Sequence, residues 1–266
     1  MTSRAIQFEA SGLTDQGEGR ERNEDAYLVD AGCGLFLVAD GMGGRRGGSV
    51  AAQAVVKQLP VLLERRLCDG HVKTMAALKD TVLDLNVLIR ETGQRTSELR
   101  GMGTTLACLV IRSGTAYIAN IGDSRIYRWR NGIACLTQDH SLTALLVREG
   151  EISARSAARH PSRGQLTRYV GMEQDIYPDV SSERVKAGDR FLLCTDGLWN
   201  VLSDSTIARI LKSDAEAEAI SSRFVAAAKA AGSQDNITCV VVCCGKSRSR
   251  SGIRGQSVYS TIEGIR

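Results

Sequence analysis

Three apolar runs, each beginning or ending at an aspartate, constrain this chain more than any other feature. Leu35-Phe36-Leu37-Val38-Ala39 stops at Asp40-Gly41, and Arg190-Phe191-Leu192-Leu193-Cys194-Thr195 stops at Asp196-Gly197. Asp235-Asn236 stands immediately before a third run, Ile237 to Cys244. Short apolar runs bounded by turn signals are the pattern of buried strands. A single Asp-Gly is ordinarily a turn. Three acids at the ends of three strands, one followed by Gly41-Met42-Gly43-Gly44, fit a metal or phosphate site better, because glycine backbone can approach a ligand closely.

The rest of the chain supplies the elements around these runs. Residues from about Ile6 to Leu13 read as a first strand, Thr14 to Asp25 as a polar loop, and Tyr27 to Val29 as a short strand. Ala52, Val55, Leu59 and Leu62, then Met75, Leu78, Val82, Leu85 and Ile89, recur at spacings of three and four, which predicts two helices with core-facing stripes. Ser113-Gly114 joins Thr104–Ile111 to Thr115–Ile121, and Asn131-Gly132 joins Ser124–Arg130 to Ile133–Leu136. Both dipeptides predict hairpins. Gln138 to Tyr169 is polar, and its pieces 142–148 and 154–159 predict short helices of a flap. A strand region around Ile176 to Val185 precedes the Asp196 run, and 204–211 and 215–231 predict two more helices.

That order holds no regular βαβ repeat. The expected fold is α+β, an α-β-β-α sandwich with two central antiparallel sheets flanked by helix pairs. One domain is expected over residues 1–245, followed by a basic, disordered tail over 246–266.

The tail's Lys246, Arg248, Arg250, Arg254 and Arg266, set against Glu263, account for the whole net charge of +4. A neutral body argues against a nucleic-acid binder. No apolar run approaches the ~20 residues that span a bilayer, and Met1 to Ser11 lacks the features of a signal peptide. A cytoplasmic monomer without membrane attachment is expected. The eight cysteines contain no C-x-x-C pair, and most lie in apolar runs (Cys108, Cys194, Cys239, Cys243), as reduced core residues would.

In antiparallel sheets the end of one strand lies beside the start of the next. Asp25, Asp40, Asp123 (in Gly122-Asp123-Ser124-Arg125), Asp196 and Asp235 can therefore reach one rim. Such a cluster demands a counter-charge. No His or Cys cluster competes as ligand, and oxygen-only donors point to Mg²⁺ or Mn²⁺ in preference to Zn²⁺. Two such ions ~3.5–4 Å apart would serve the hydrolysis of a phosphate ester.

The matching segments run in order across residues 12–244: 15–25 with Arg20, Asn23, Glu24 and Asp25; Val38-Ala39-Asp40-Gly41-Met42-Gly43-Gly44; Gly103-Thr104-Thr105; Gly122-Asp123-Ser124-Arg125; 166–171; Cys194-Thr195-Asp196-Gly197-Leu198-Trp199; and Gln234-Asp235-Asn236. With these the chain resembles the type 2C (PPM) family of metal-dependent serine/threonine protein phosphatases, in its compact bacterial form. The resemblance implies that Asp40 bridges two ions, that the Gly41 carbonyl completes the shell of the second, and that Asp196 and Asp235 hold the first. Glu24 and Asp25 would orient metal-bound waters, and Asp123 would help bind a third, weaker ion. Arg20 would clamp the substrate phosphate with its planar fork, while a hydroxide bridging the ions attacks phosphorus in line.

One position departs from the eukaryotic pattern. Many relatives carry histidine directly after Asp-Gly, where this chain and bacterial members have methionine, here Met42. A metal-bound water is then the expected proton donor. His140 and His160 in the flap are alternatives, each read first as an ordinary surface or packing histidine. The implied partners are phosphorylated proteins, substrates of a Ser/Thr kinase that the enzyme opposes. Two other readings are a catalytically silent phosphoprotein-binding pseudophosphatase, which a lost ligand would mark, and a phosphatase of an anti-anti-sigma regulator, which shares the chemistry. Every implied ligand position holds an acid or, at Gly41, the required glycine.

Overall fold

The computed structural model describes residues 7–68, 73–245 and 258–259. In chain order the strands are β1 (Gln7–Asp15), β2 (Asp25–Asp30), β3 (Leu35–Met42), β4 (Gly103–Thr104), β5 (Leu106–Arg112), β6 (Thr115–Ile121), β7 (Arg125–Trp129), β8 (Ile133–Cys135), β9 (Asp179–Arg184), β10 (Arg190–Cys194), β11 (Ile237–Gly245) and β12 (Val258–Tyr259). The helices are α1 (Gly44–Cys68), α2 (Thr74–Arg95), α3 (Leu142–Arg148), α4 (Ala154–Ala157), α5 (Asp196–Trp199), α6 (Asp204–Leu211) and α7 (Ala217–Ala230). One sheet runs β1-β11-β10-β7-β8; the other runs β12-β2-β3-β5-β6-β9, with β4 added beside β3. Every pairing within them is antiparallel.

Period-two alternation explains why the runs are apolar throughout. Along β3, Leu35, Leu37 and Ala39 pack with Val55, Leu59, Leu78 and Leu85 of α1 and α2. Phe36 and Val38 face the other way, toward Phe191, Leu193, Val240 and Val242 of the second sheet. In that sheet Leu192, Cys194, Cys239 and Val241 turn outward onto Leu198, Ile207, Ile220 and Phe224 of α5, α6 and α7. Both faces of each sheet are thus buried, at about 1.5–3 kcal/mol per large side chain. The four-layer α-β-β-α order expected from the sequence is the order observed.

Both hairpin signals act as turns. Ser113 (φ 50°) and Gly114 (φ 72°) adopt the left-handed conformation that a type I′ turn needs, and Asn131 (φ 56°) does the same between β7 and β8. Three departures from expectation are local. The first helix begins inside the glycines, at Gly44. Asp196 opens a short helix instead of ending a strand, because β10 stops at Cys194. Within the stretch read as a loose tail, Val258 and Tyr259 pair with Val29 and Leu28 on the edge of β2. The remainder of 246–266 lies outside the described residues. Cys108, Cys194, Cys239 and Cys244 are buried and free, in keeping with reduced core residues, while Cys33, Cys68 and Cys135 are exposed.

Candidate metal and phosphate site

The site lies at the mouth of the gap between the two sheets. In β3, Asp40 has the parity of Val38 and so faces the gap; in β2, Asp25 has the parity of Tyr27 and faces it too. The two aspartates are Cα partners across the β2–β3 ladder. From the opposite side, Thr195, just past the end of β10, and Thr238 of β11 reach Asp25. Thr195 Oγ1 donates to Asp25 Oδ2 at 2.8 Å, and Thr238 adds a second side-chain hydrogen bond to Asp25.

Asp40 is fixed through its backbone. Its N–H donates to Thr105 Oγ1 at 2.9 Å, and its carbonyl accepts from the Thr105 N–H and Thr104 Oγ1, each at 2.9 Å. The carboxylate is thereby left free for other work, within side-chain hydrogen-bond reach of Asp196. Asn200 Nδ2 donates to Asp196 Oδ2 at 3.0 Å, and the flap's Arg163 donates to Asn200 Oδ1 at 2.9 Å. The flap therefore borders the site.

Two glycines let the backbones close in. A Cβ on Gly41 would stand 2.1 Å from the Gly48 carbonyl oxygen, and one on Gly197 would stand 2.0 Å from that of Asn236. The first contact seats the β3 end on α1, and the second seats Asp196 beside Asp235.

Asp123 is held from both sides. Trp199 Nε1 donates to its carbonyl at 2.9 Å, and Arg125, 3.5 Å above the Trp199 ring, forks onto Asp139 at 2.9 and 2.6 Å. His140 Nδ1 accepts from the Gly122 N–H at 3.2 Å, and Gly122 returns its carbonyl to the His140 N–H at 2.9 Å. The other ring nitrogen faces Asp179 at 3.1 Å. This ring is enclosed, and burial pushes its pKa down. His140 is thus the packing histidine of the first reading. His160 Nδ1 accepts from the Ser162 N–H within the flap.

Arg20 forks onto Asp235, with Nη2 and Nε each 2.7 Å from a carboxylate oxygen. That hydrogen bond, with Asp40 and Asp196 nearby, raises the guanidinium pKa. Glu24, Arg20, Arg22, Arg46, Glu21 and Glu98 line a groove of about 1010 Å³.

The electrostatics are those of acids short of cations. Burial first, then neighbouring carboxylates, pushes Asp25, Asp40, Asp123 and Asp196 above the ordinary carboxylate range. Burial also raises Glu24. Among the described residues, no three His, Cys, Asp or Glu side chains already stand in a metal-holding arrangement. Asp235 is turned to Arg20, and Asp25 to the two threonines. The donor chemistry nonetheless fits a hard divalent cation, since the site is all oxygen and its acids are destabilised by one another.

Sequence reasoning left Thr105, Thr195, Asn236, Thr238 and Asn200 without roles. The first three lie inside the matching segments, which was a signal; Asn200 and Thr238 carried none. Asn236 ties the loop to the site, donating to the Gln16 and Arg22 carbonyls and accepting from the Glu24 N–H.

Comparison with known proteins identifies the family. The family model for protein phosphatase 2C matches residues 17–235. The serine/threonine phosphatase stp of Listeria monocytogenes is 35% identical over 242 residues, covering 86% of this chain and 93% of the relative. The crystal structure of the Mycobacterium tuberculosis serine/threonine phosphatase PstP/Ppp superposes with a TM-score of 0.83 at 32% identity, covering 91% of this chain and 100% of that one. A PstP catalytic domain in complex with two manganese ions superposes at 0.80 and 30% identity, over 91% and 100% of the two chains. By its sequence and its fold, this chain belongs to the protein phosphatase 2C family.

Proposed function

We propose that this chain hydrolyses phosphoserine and phosphothreonine esters on proteins, in the cytoplasm and as a monomer, using two Mn²⁺ or Mg²⁺ ions, and so opposes a Ser/Thr kinase. The observation that carries the reading is the convergence of Asp25, Asp40, Asp123, Asp196 and Asp235 at one mouth, with pKa values raised at the first four and Arg20 beside them. The two manganese ions of a solved relative support the number and kind of ions. Among the described residues, no helix is long and apolar enough to cross a membrane.

Asp40 would contribute to both ions, the Gly41 carbonyl to the second, and Asp196 and Asp235 to the first. Glu24 and Asp25 would orient water, and Asp123 would help bind a third, weaker ion. When bound, the ion pair supplies a water deprotonated near neutral pH and Lewis-acid charge at the phosphoryl oxygens. The protein's own part is geometric. Thr104 and Thr105 hold the Asp40 backbone, Thr195 and Thr238 hold Asp25, and Arg20 offers a planar fork to two phosphate oxygens. Met42 has no proton to give, and both His140 nitrogens are engaged. The leaving oxygen is assigned its proton from a water in the site, ahead of His160 of the flap.

The test is hydrolysis of p-nitrophenyl phosphate and of phosphoserine and phosphothreonine peptides. Activity is expected to vanish in EDTA and to return with Mn²⁺ or Mg²⁺. Full activity in chelator would overturn the metal mechanism. Phosphopeptide binding without turnover in Mn²⁺ would make the chain a pseudophosphatase.

A further inference from the structure

We infer that Arg20 is a tethered counter-cation which a divalent ion must displace from Asp235, so that metal loading releases the guanidinium for phosphate. The inference rests on the metal reading above and adds an order of events to it. Arg20 occupies both Asp235 oxygens at 2.7 Å. These are the oxygens through which Asp235 would hold an ion, and an oxygen fully engaged by a guanidinium is a poor metal donor.

The surroundings allow the exchange without rebuilding the loop. Gln16 Nε2 donates to the Arg20 carbonyl at 2.8 Å, and Asn236 Nδ2 holds the Gln16 and Arg22 carbonyls at 2.7 and 2.9 Å. The Arg20 backbone is thus fixed to the turn that carries Asp235, and only the side chain has to move. That side chain is 52% exposed. A solvent-exposed ion pair opens at small cost, so the pair is strong enough to compete and weak enough to yield. Asp235 Oδ1 also accepts the Asn236 N–H at 2.8 Å, which keeps the carboxylate in place when Arg20 leaves. Once displaced, the fork would stay beside Asp235 through the fixed Arg20 backbone, free to meet a phosphate brought to the same acids.

A purely phosphate-binding Arg20 would leave metal affinity unchanged when removed, and a merely structural Arg20 would support it. Exchange predicts the opposite sign. Titration calorimetry with Mg²⁺ in phosphate-free buffer should show Arg20→Ala binding the ion roughly two- to fivefold more tightly than wild type. A second measurement separates exchange from general charge repulsion. In ¹⁵N-arginine-labelled protein, one guanidinium Nε–H signal, identified by its loss in Arg20→Lys, should be protected from solvent exchange in EDTA and lose that protection as Mg²⁺ saturates.

Unchanged or weakened Mg²⁺ binding in Arg20→Ala overturns the inference, as does tighter binding with an Arg20 signal indifferent to Mg²⁺. A wild-type protein that binds no Mg²⁺ or Mn²⁺ overturns the metal reading itself, and the inference with it.

Discussion

Asp25 and Asp40 are direct cross-strand partners, the first residue of β2 opposite a residue near the end of β3, and both face the gap between the sheets. Like charges placed opposite one another destabilise a sheet. The surrounding hydrogen bonds hold this rung in place without relieving it. Thr195 and Thr238 stabilise Asp25, whereas Asp40 takes its fixed contacts through the backbone and its carboxyl group is left to burial and the neighbouring acids, which raise its pKa. Such an arrangement stores repulsion that a bound cation would remove.

Removing a charge from the cluster should therefore uncouple stability from activity. Asp40→Asn and Asp196→Asn are each expected to lower turnover by at least about a hundredfold, since an ion loses an anionic ligand. In EDTA the melting temperature of each should stay level or rise by a few degrees, roughly 2–4 °C for each kcal/mol of repulsion relieved. Unfolding of both variants would make these aspartates structural.

The same repulsion sets a pH dependence. Asp25 is pushed to about 7, Asp123 to about 8 and Asp196 to about 6, burial being the main cause in each. A raised carboxylate pKa means that the folded chain holds protons which the unfolded chain releases near pH 4. Metal-free stability must then fall as pH rises through the folded values. His140, with a lowered pKa, acts in the other direction only below about 6.5, so the clean window is roughly pH 6.5–8.5. Thermal melts in EDTA should drop by roughly 2–6 °C across that window. Saturating Mn²⁺ should flatten the slope, and Mn²⁺ binding at pH 6.5 should release protons, measurable as buffer-dependent calorimetric heat. A metal-free melting temperature that climbs with pH would contradict the raised values.

Much of this was legible in the sequence because the signals were periodic or punctuated. The runs ending at Asp40 and Asp196 gave the strands, their unbroken apolarity reflected sheets covered on both faces, and Ser113-Gly114 and Asn131-Gly132 marked turns in which Ser113, Gly114 and Asn131 take positive φ. What escaped depended on contacts between residues far apart in the chain. Arg20 meets Asp235 across 215 positions, and His140 and Asp139 clasp the Asp123 turn from the root of a flap whose composition gave only loops and short helices. The helical start at Asp196 was hidden because Asp-Gly reads equally as a turn or as a first helical residue.

Thr105 offers a test of how tightly Asp40 must be held. Its Oγ1 accepts the Asp40 N–H at 2.9 Å and meets Ser124 Oγ at 2.7 Å, in a buried position. Thr105→Val keeps the shape and deletes the acceptor, leaving a buried N–H without its partner. A loss of about 1–3 kcal/mol in stability is expected. Because the Asp40 carboxylate then drifts, kcat should fall more than KM rises, with Thr105→Ser restoring most of both. Wild-type kcat in Thr105→Val, despite the lost stability, would show that Asp40 is positioned by the metal ions alone.

The C-terminal segment should matter to stability before it matters to chemistry. Val258 and Tyr259 pair with Val29 and Leu28, covering an edge of β2 that would otherwise present unpaired backbone groups. The pairing spans two residues and stops three positions short of Asp25 along β2, so it does not touch the mouth of the site. Deleting residues 246–266 should leave hydrolysis of p-nitrophenyl phosphate unchanged, lower the melting temperature slightly, and speed hydrogen exchange at Leu28 and Val29 relative to the interior of β3. Abolished aryl-phosphate hydrolysis would place the segment within the catalytic domain. Unchanged exchange at Leu28 and Val29 would mean that the β12 pairing does not persist in solution.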